Sequence, residues 1–237
     1  MSGRSFLMTC EHAGNYVPAN YRYLFLGHEA ILETHRGYDL GAGPLAEYLA
    51  DTLKLPLYVN MITRLLVDSN RSKFNPELYS EFSRSLDPVV KKFLLKKYYT
   101  AYRQQVYDWI KEHARKTDSV VHISMHSFTP VLKGETRKAD IGILYDDNRE
   151  PEARIARQLV ADLQLNAPQF VTMHNYPYLG TADGFTTYLR KEFRPKNYSG
   201  IEIEVNQKYH NRPEMEDIKK ALQGALRSVM SEETALC

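Results

Sequence analysis

Short apolar runs alternate with helical patterns along the whole chain. Six runs are strand-sized: residues 5–10, 56–60, 119–125, 139–145, 169–173 and 200–206. Their lengths and β-branched content favour strands over helix segments. Between them, apolar side chains recur at helical spacing. Residues 41–54 carry Leu45, Leu49 and Leu53, and residues 150–163 carry Ile155, Leu159 and Leu163. A longer amphipathic stretch, 87–116, places Val90, Phe93, Leu94, Tyr98, Tyr102, Val106 and Ile110 on one face. The last pattern, 213–231, opens on Pro213, a residue favoured in a first helical turn, and continues through Ile218, Leu222, Leu226 and Met230. Strands alternating with helices predict an α/β fold, a three-layer sandwich with a mostly parallel or mixed sheet. Two stretches resist either pattern, 64–86 and 173–199, both rich in Asn, Ser, Gly, Pro, Tyr and Arg. Long aromatic-containing loops inside a compact domain are expected to be functional.

Length and composition narrow the classes. A chain of 237 residues with 43% hydrophobic content suits one α/β domain, or at most two small ones. The 31 basic and 29 acidic residues nearly cancel, so no nucleic-acid or acidic-membrane partner is expected. The one basic stretch, Lys91 to Lys97, is interrupted by Phe93-Leu94-Leu95 and reads as a solvated helix face. The two cysteines, Cys10 and Cys237, are no disulfide framework and point to a reducing compartment. With no signal-like start and no apolar run of membrane-spanning length, the protein is expected to be soluble and cytoplasmic.

The chemistry gathers where the strands end, the place where open α/β sheets bind ligands. After the first strand come Glu11, His12 and Asn15, with Gly14 to bend the chain and Pro18 to stop it. After the second come Arg64, Asp68, Asn70 and Arg71; after the third, His126 and Ser127; after the fifth, His174, Asn175 and Tyr176. The last strand carries Glu202 and Glu204 on one face, since strand side chains alternate. Catalytic zinc takes three ligands from His, Asp, Glu and Cys and leaves a place for water. His12 and His126 fit that role, with Asn15, Glu11 or an acid from 33–39 as the third. Glu202 can take a proton from water and hand it to a leaving amine. Arg64 and Arg71 can grip a substrate carboxylate or stabilise an oxyanion. Structural readings stand beside these: Asp68 and Arg71 as an ion pair, and His122 as a core histidine. No G-x-S-x-G elbow, Walker loop or G-x-G-x-x-G is present, and Cys10, at a strand end, reads as buried and inert.

These residues fall into segments that resemble the N-formylglutamate amidohydrolase family. The matching pieces are Glu11-His12-Ala13-Gly14-Asn15 with Pro18, Thr34 to Ala42, Arg64 to Arg71, Met125-His126-Ser127-Phe128, Arg137 with Asp140-Ile141-Gly142, Asn175-Tyr176-Pro177-Tyr178, and Ile201-Glu202-Ile203. They come in the family's order and span nearly the whole chain, which implies a single catalytic domain over 1–237. The family is similar in turn to zinc carboxypeptidases, implying an α/β/α sandwich around a mixed, mostly parallel sheet. By that resemblance Zn2+ or another divalent metal is held by His12, Asp39 and His126. Glu202 acts as general base and Arg64 stabilises the oxyanion. Asn70 and Arg71 bind a substrate carboxylate, and Asn175, Tyr176 and Arg137 line the substrate site. The chain departs from the carboxypeptidase pattern at Asn15, where a carboxylate ligand would stand; Asp39 is the expected replacement. The implied reaction is hydrolysis of a small N-acyl amino acid such as N-formyl-L-glutamate, by a monomer or homodimer. The alternatives are a non-catalytic carboxylate-binding protein and an amidase of a peptidic or cell-wall substrate.

Overall fold

The computed structural model describes residues 3–117 and 119–231; Cys237 lies outside them. Its centre is a sheet of β1 (Arg4–Cys10), β2 (Leu57–Val59), β3 (Ser119–Phe128), β6 (Ile141–Leu144), β7 (Thr172–His174) and β8 (Tyr198–Asn206). A small hairpin of β4 (Val131–Leu132) and β5 (Glu135–Thr136) stands apart. The strand order is β2-β1-β3-β8-β6-β7. All neighbours run parallel except β6 against β8, which are antiparallel, so the sheet is mixed and mostly parallel, as expected.

Alternation along β1 explains the three layers. Met8 and Cys10 point to the face covered by α1 (Ala42–Leu53), α4 (Glu150–Asn166) and α6 (Glu214–Ser231). Leu7 points to the opposite face, under α3 (Ala101–Lys116) and α5 (Phe185–Glu192), where Tyr102, Val106, Ile110, Phe185 and Leu189 pack on it. The first layer buries Leu45, Leu49, Leu159, Leu222 and Leu226, the positions whose helical spacing marked those segments. The 87–116 pattern is one continuous rod, but not one kind of helix. After α2 (Pro88–Leu94), residues Leu95–Thr100 form a π-helical turn before α3 begins. Helix α5 lies inside 173–199, the stretch that looked irregular: eight residues after a Gly- and Pro-rich run offer too little periodicity to register. No helix among the described residues is long and apolar enough to cross a membrane.

Gly142 in β6 sits opposite Glu204 of β8. A Cβ there would lie 1.9 Å from the Tyr176 carbonyl oxygen and 3.4 Å from Glu204 Cβ. Gly142→Ala must therefore displace backbone, and we expect it to lower unfolding stability by roughly 2–4 kcal/mol in urea denaturation.

Candidate metal centre and its cavity

The parallel register sets the site. His126 of β3 pairs with Glu204 of β8, and Ser124 pairs with Glu202. Strand β3 runs on through Phe128, three residues beyond its expected end, so His126 is held inside the ladder instead of on a loop. His12 follows β1 directly. Asp39 is brought alongside because its backbone N–H donates to the His12 carbonyl, at 3.0 Å. His12, Asp39 and His126 are all buried, and each offers a ligand atom within 4.8 Å of the others.

Both imidazoles use the same design. His12 turns Nδ1 toward Asp39 Oδ2, 3.4 Å away, while its Nε2 lies 2.6 Å from Asp68 Oδ1. His126 has Nδ1 2.8 Å from the same Asp39 oxygen and Nε2 3.1 Å from Glu11 Oε2. Each histidine thus presents Nδ1 to the centre and anchors Nε2 on a separate carboxylate, the arrangement that fixes ring and tautomer in metal-ligating histidines. The anchors are themselves anchored. Glu11, fully buried, accepts from Tyr102 OH at 2.9 Å and from Ser124 Oγ at 2.5 Å. Asp68 accepts from Arg64 Nε and Nη2, at 3.1 and 2.8 Å, and from the Asn70 N–H at 2.8 Å.

The electrostatics follow from this crowding. Burial pulls the His126 imidazole down, but Asp39 and Glu11 outweigh it and hold its pKa well above the ordinary value. His12 is raised as well: Asp68 and Asp39 overcome burial and the nearby Arg64. Burial pushes the Asp39, Asp68 and Glu11 carboxyls up, yet their basic partners hold all three below the usual carboxylate range. Three buried carboxylates around two imidazoles favour positive charge at their centre. Two nitrogens and one carboxylate oxygen are also the donor set of a catalytic divalent site that keeps a coordination place open. The residues fit a metal ion.

The cluster forms one wall of a cavity of about 150 Å³, whose other walls include Asn70, Arg71, Tyr178, Asp183, Glu202 and Glu204. Both stretches that resisted a regular pattern thus contribute to it. Glu204 is buried with Oε2 lacking any hydrogen bond. Burial pushes its pKa up to about 7, with Asp39 and Glu202 adding to the rise and His126 opposing it. Glu202 is half-buried, and Thr186 Oγ1 donates to its Oε1.

The sequence model of the N-formylglutamate amidohydrolase family matches residues 4–210, from β1 through every residue of this cavity. The chain belongs to the N-formylglutamate amidohydrolase family. It is accordingly a hydrolase of amide bonds. A crystal structure of a gene product from Agrobacterium tumefaciens shares 26% sequence identity, with a TM-score of 0.83 over 98% of this chain and 93% of that one. An N-formylglutamate amidohydrolase from Ralstonia eutropha shares the fold at 15% identity, with a TM-score of 0.74 over 99% and 96% of the two chains. No curated protein matches in sequence.

Within this amidohydrolase the expected residues divide. His12, Asp39, Arg64, Asn70, Arg71, His126 and Glu202 all reach the cavity. Asn175, Tyr176 and Arg137 do not line it. Asn175 Oδ1 accepts from the Tyr145 and Gly180 N–H groups, at 2.9 and 3.1 Å, and so organises its own loop. Tyr176 OH accepts from the Lys138 N–H. Arg137 donates to Tyr178 OH at 2.9 Å and lies over the rings of Phe128 and Tyr178. It braces Tyr178, which does line the cavity. Arg64 commits Nε and Nη2 to Asp68 and Nη1 to Asp39, at 3.2 Å. Asn15 turns away, donating to the Leu32 carbonyl at 3.1 Å. His122 is a core histidine, lodged between Thr9 Oγ1 and Tyr198 OH at 2.7 and 2.8 Å, where burial lowers its pKa to about 4. Cys10 is free and fully buried, its thiol pushed well up by burial.

Proposed function

We propose that this chain is a metal-dependent amidohydrolase of small N-acyl amino acids, with N-formyl-L-glutamate as the first substrate to test. Water cleaves the amide to formate and L-glutamate. The observation that carries this reading is the buried His12, Asp39 and His126 cluster beside Glu204 on a small cavity with Arg71 in its lining. A volume of about 150 Å³ favours a compact substrate over a peptidoglycan strand. A divalent ion such as Zn2+ held by the three ligands supplies polarisation of the scissile carbonyl and activation of water.

The chain's own groups do the rest. Glu204 takes the proton of the attacking water and passes it to the leaving nitrogen. We assign that role to Glu204 over Glu202 because Glu204 is the register partner of His126 and has a buried oxygen without a hydrogen-bond partner. Glu202, occupied by Thr186, shapes the wall beside it. Arg64 acts as a positioning residue, since each of its three nitrogens already donates to Asp39 or Asp68. Arg71, with Asn70, holds the substrate carboxylate. Arg71→Met should raise KM for N-formyl-L-glutamate by about 10- to 100-fold and leave kcat much less changed.

The deciding experiment is formate release from N-formyl-L-glutamate by protein stripped with a chelator and then titrated with zinc. Turnover that returns with about one equivalent of metal supports the reading. Turnover indifferent to chelation removes the metal from it. Metal-dependent hydrolysis of other N-acyl amino acids, with none of the formyl compound, replaces the substrate.

A further inference from the structure

A separate groove lies beside the catalytic cavity. It lies between the loop after β2, the π-helical turn with α3, and α5, and has a volume of about 440 Å³. Asp183 belongs to both walls, so the groove and the catalytic cavity are neighbours back to back.

Arg103 in the lining of this groove is the anomaly. It is only 6% exposed, yet no carboxylate pairs with it among the described residues. The other arginines buried to a similar degree are all paired: Arg190 with Glu152 at 2.8 Å and Arg149 with Glu152 at 3.7 Å. The Arg103 guanidinium is instead enclosed by rings, 4.7 Å from the Tyr99 centroid, 4.3 Å from Phe185 and 4.7 Å from Tyr188. Only Nη1 hydrogen-bonds, to the carbonyls of Ser69 and Arg71 at 3.2 and 3.0 Å. Nε and Nη2 have no protein acceptor among the described residues. Cation–π contact offsets part of the cost of burying a charge, but a guanidinium with an open edge is built for a planar anion. The groove's lining carries Lys73 and Lys191, both exposed, beside Asp183 and Glu192, and Phe74, 97% exposed, leaves an apolar ring without cover at the rim.

We propose that this groove is a second binding site, for a small aromatic carboxylate whose anionic group pairs with Arg103 and whose ring lies among Tyr99, Tyr107 and Tyr188. The site is independent of the amidohydrolase reading. It is nevertheless wired to the catalytic wall, because Tyr99 OH and Arg103 Nη1 both donate to the Arg71 carbonyl, at 2.8 and 3.0 Å.

Phenylacetate is the probe, titrated into the full-length protein by calorimetry. One saturable site is expected, with Kd of about 1 mM or tighter for so small a ligand. Affinity should fall at least tenfold in Gln104→Trp, which fills the groove from the exposed face of α3, and in Arg103→Gln. It should fall similarly for phenylacetamide, the uncharged analogue, and stay unchanged in Arg71→Met. Gln104→Trp keeps the test valid if Arg103→Gln fails to fold. Absence of saturable binding overturns the proposal. So does equal binding of the amide, or loss of binding in Arg71→Met with Gln104→Trp unaffected, which would put the carboxylate in the catalytic cavity.

Discussion

Glu204→Gln should lower kcat for N-formyl-L-glutamate by about 10²- to 10⁴-fold, the usual contribution of a positioned proton carrier. The amide is nearly isosteric with the carboxylate, and Glu204 is not one of the three cluster ligands, so metal content should not change. KM should move little, because the interaction lost is made chiefly in the transition state. The acidic limb of the kcat/KM profile should also vanish from the residual activity. The carboxyl accepts a proton only when ionised, so wild-type activity rises with pH through its pKa. Steady-state kinetics with metal analysis on the same sample check all of this. The matched variant, Glu202→Gln, should lose far less. If Glu202→Gln is the dead enzyme and Glu204→Gln is active, the two roles are exchanged.

Asp39→Asn should be worse, because it removes both a ligand and the charge that balances the cluster. Asp39 touches His12, His126 and Arg64 at once. An amide there is a weak donor to a divalent ion, and its NH₂ group would face imidazole nitrogens or the guanidinium. Zinc should purify with the variant at well under one equivalent, and turnover should fall by at least about 10³-fold. The wild type should gain thermal stability on adding zinc after chelation, since a ligand that binds only the folded state stabilises it by mass action. The Asn variant should show little of that gain. A variant that keeps stoichiometric metal and activity would move the third ligand elsewhere and remove the main support for Asp39.

Much of this was legible in the residues, and the exceptions have physical reasons. The strand-end rule placed His12 and His126 together because parallel strands deliver their C-terminal ends to one edge. The choice between Glu202 and Glu204 was not legible. Two residues apart on a strand share a face, so only the register with β3 tells which one meets His126 and which meets Ser124. Helical spacing places Tyr102 in the core, where it lies, but its hydroxyl also reaches Glu11. Spacing reports the direction of a side chain and not the partner of its terminal atom. Asn175 and Tyr176 lie close to Tyr178 in sequence, but they and Arg137 act on the loops around the cavity, through ring contacts and backbone hydrogen bonds. Asp183 carried no signal at all, since a single acid in an irregular run looks like solvated surface. It holds the Ser72 N–H and Asn75 Nδ2, at 3.0 and 2.6 Å, and so ties the two long loops together.

The order β1-β3-β8 at the heart of the sheet puts side by side strands that lie far apart along the chain. A ribosome releases them one after another. A nascent chain that has emerged through α1 already carries His12 and Asp39, but their partner His126 is still unmade, and the wall bearing Glu204 comes later still. No early fragment can bring His12, Asp39 and His126 together, so completion of the candidate centre is tied to the closing of long-range β-pairings, the slow step for such topologies. Glu204 arrives last, on a strand whose insertion between β3 and β6 also completes the sheet. The candidate site is therefore complete only once the central ladder has closed: a chain that stops before β3 lacks His126, and one that stops before β8 lacks Glu204.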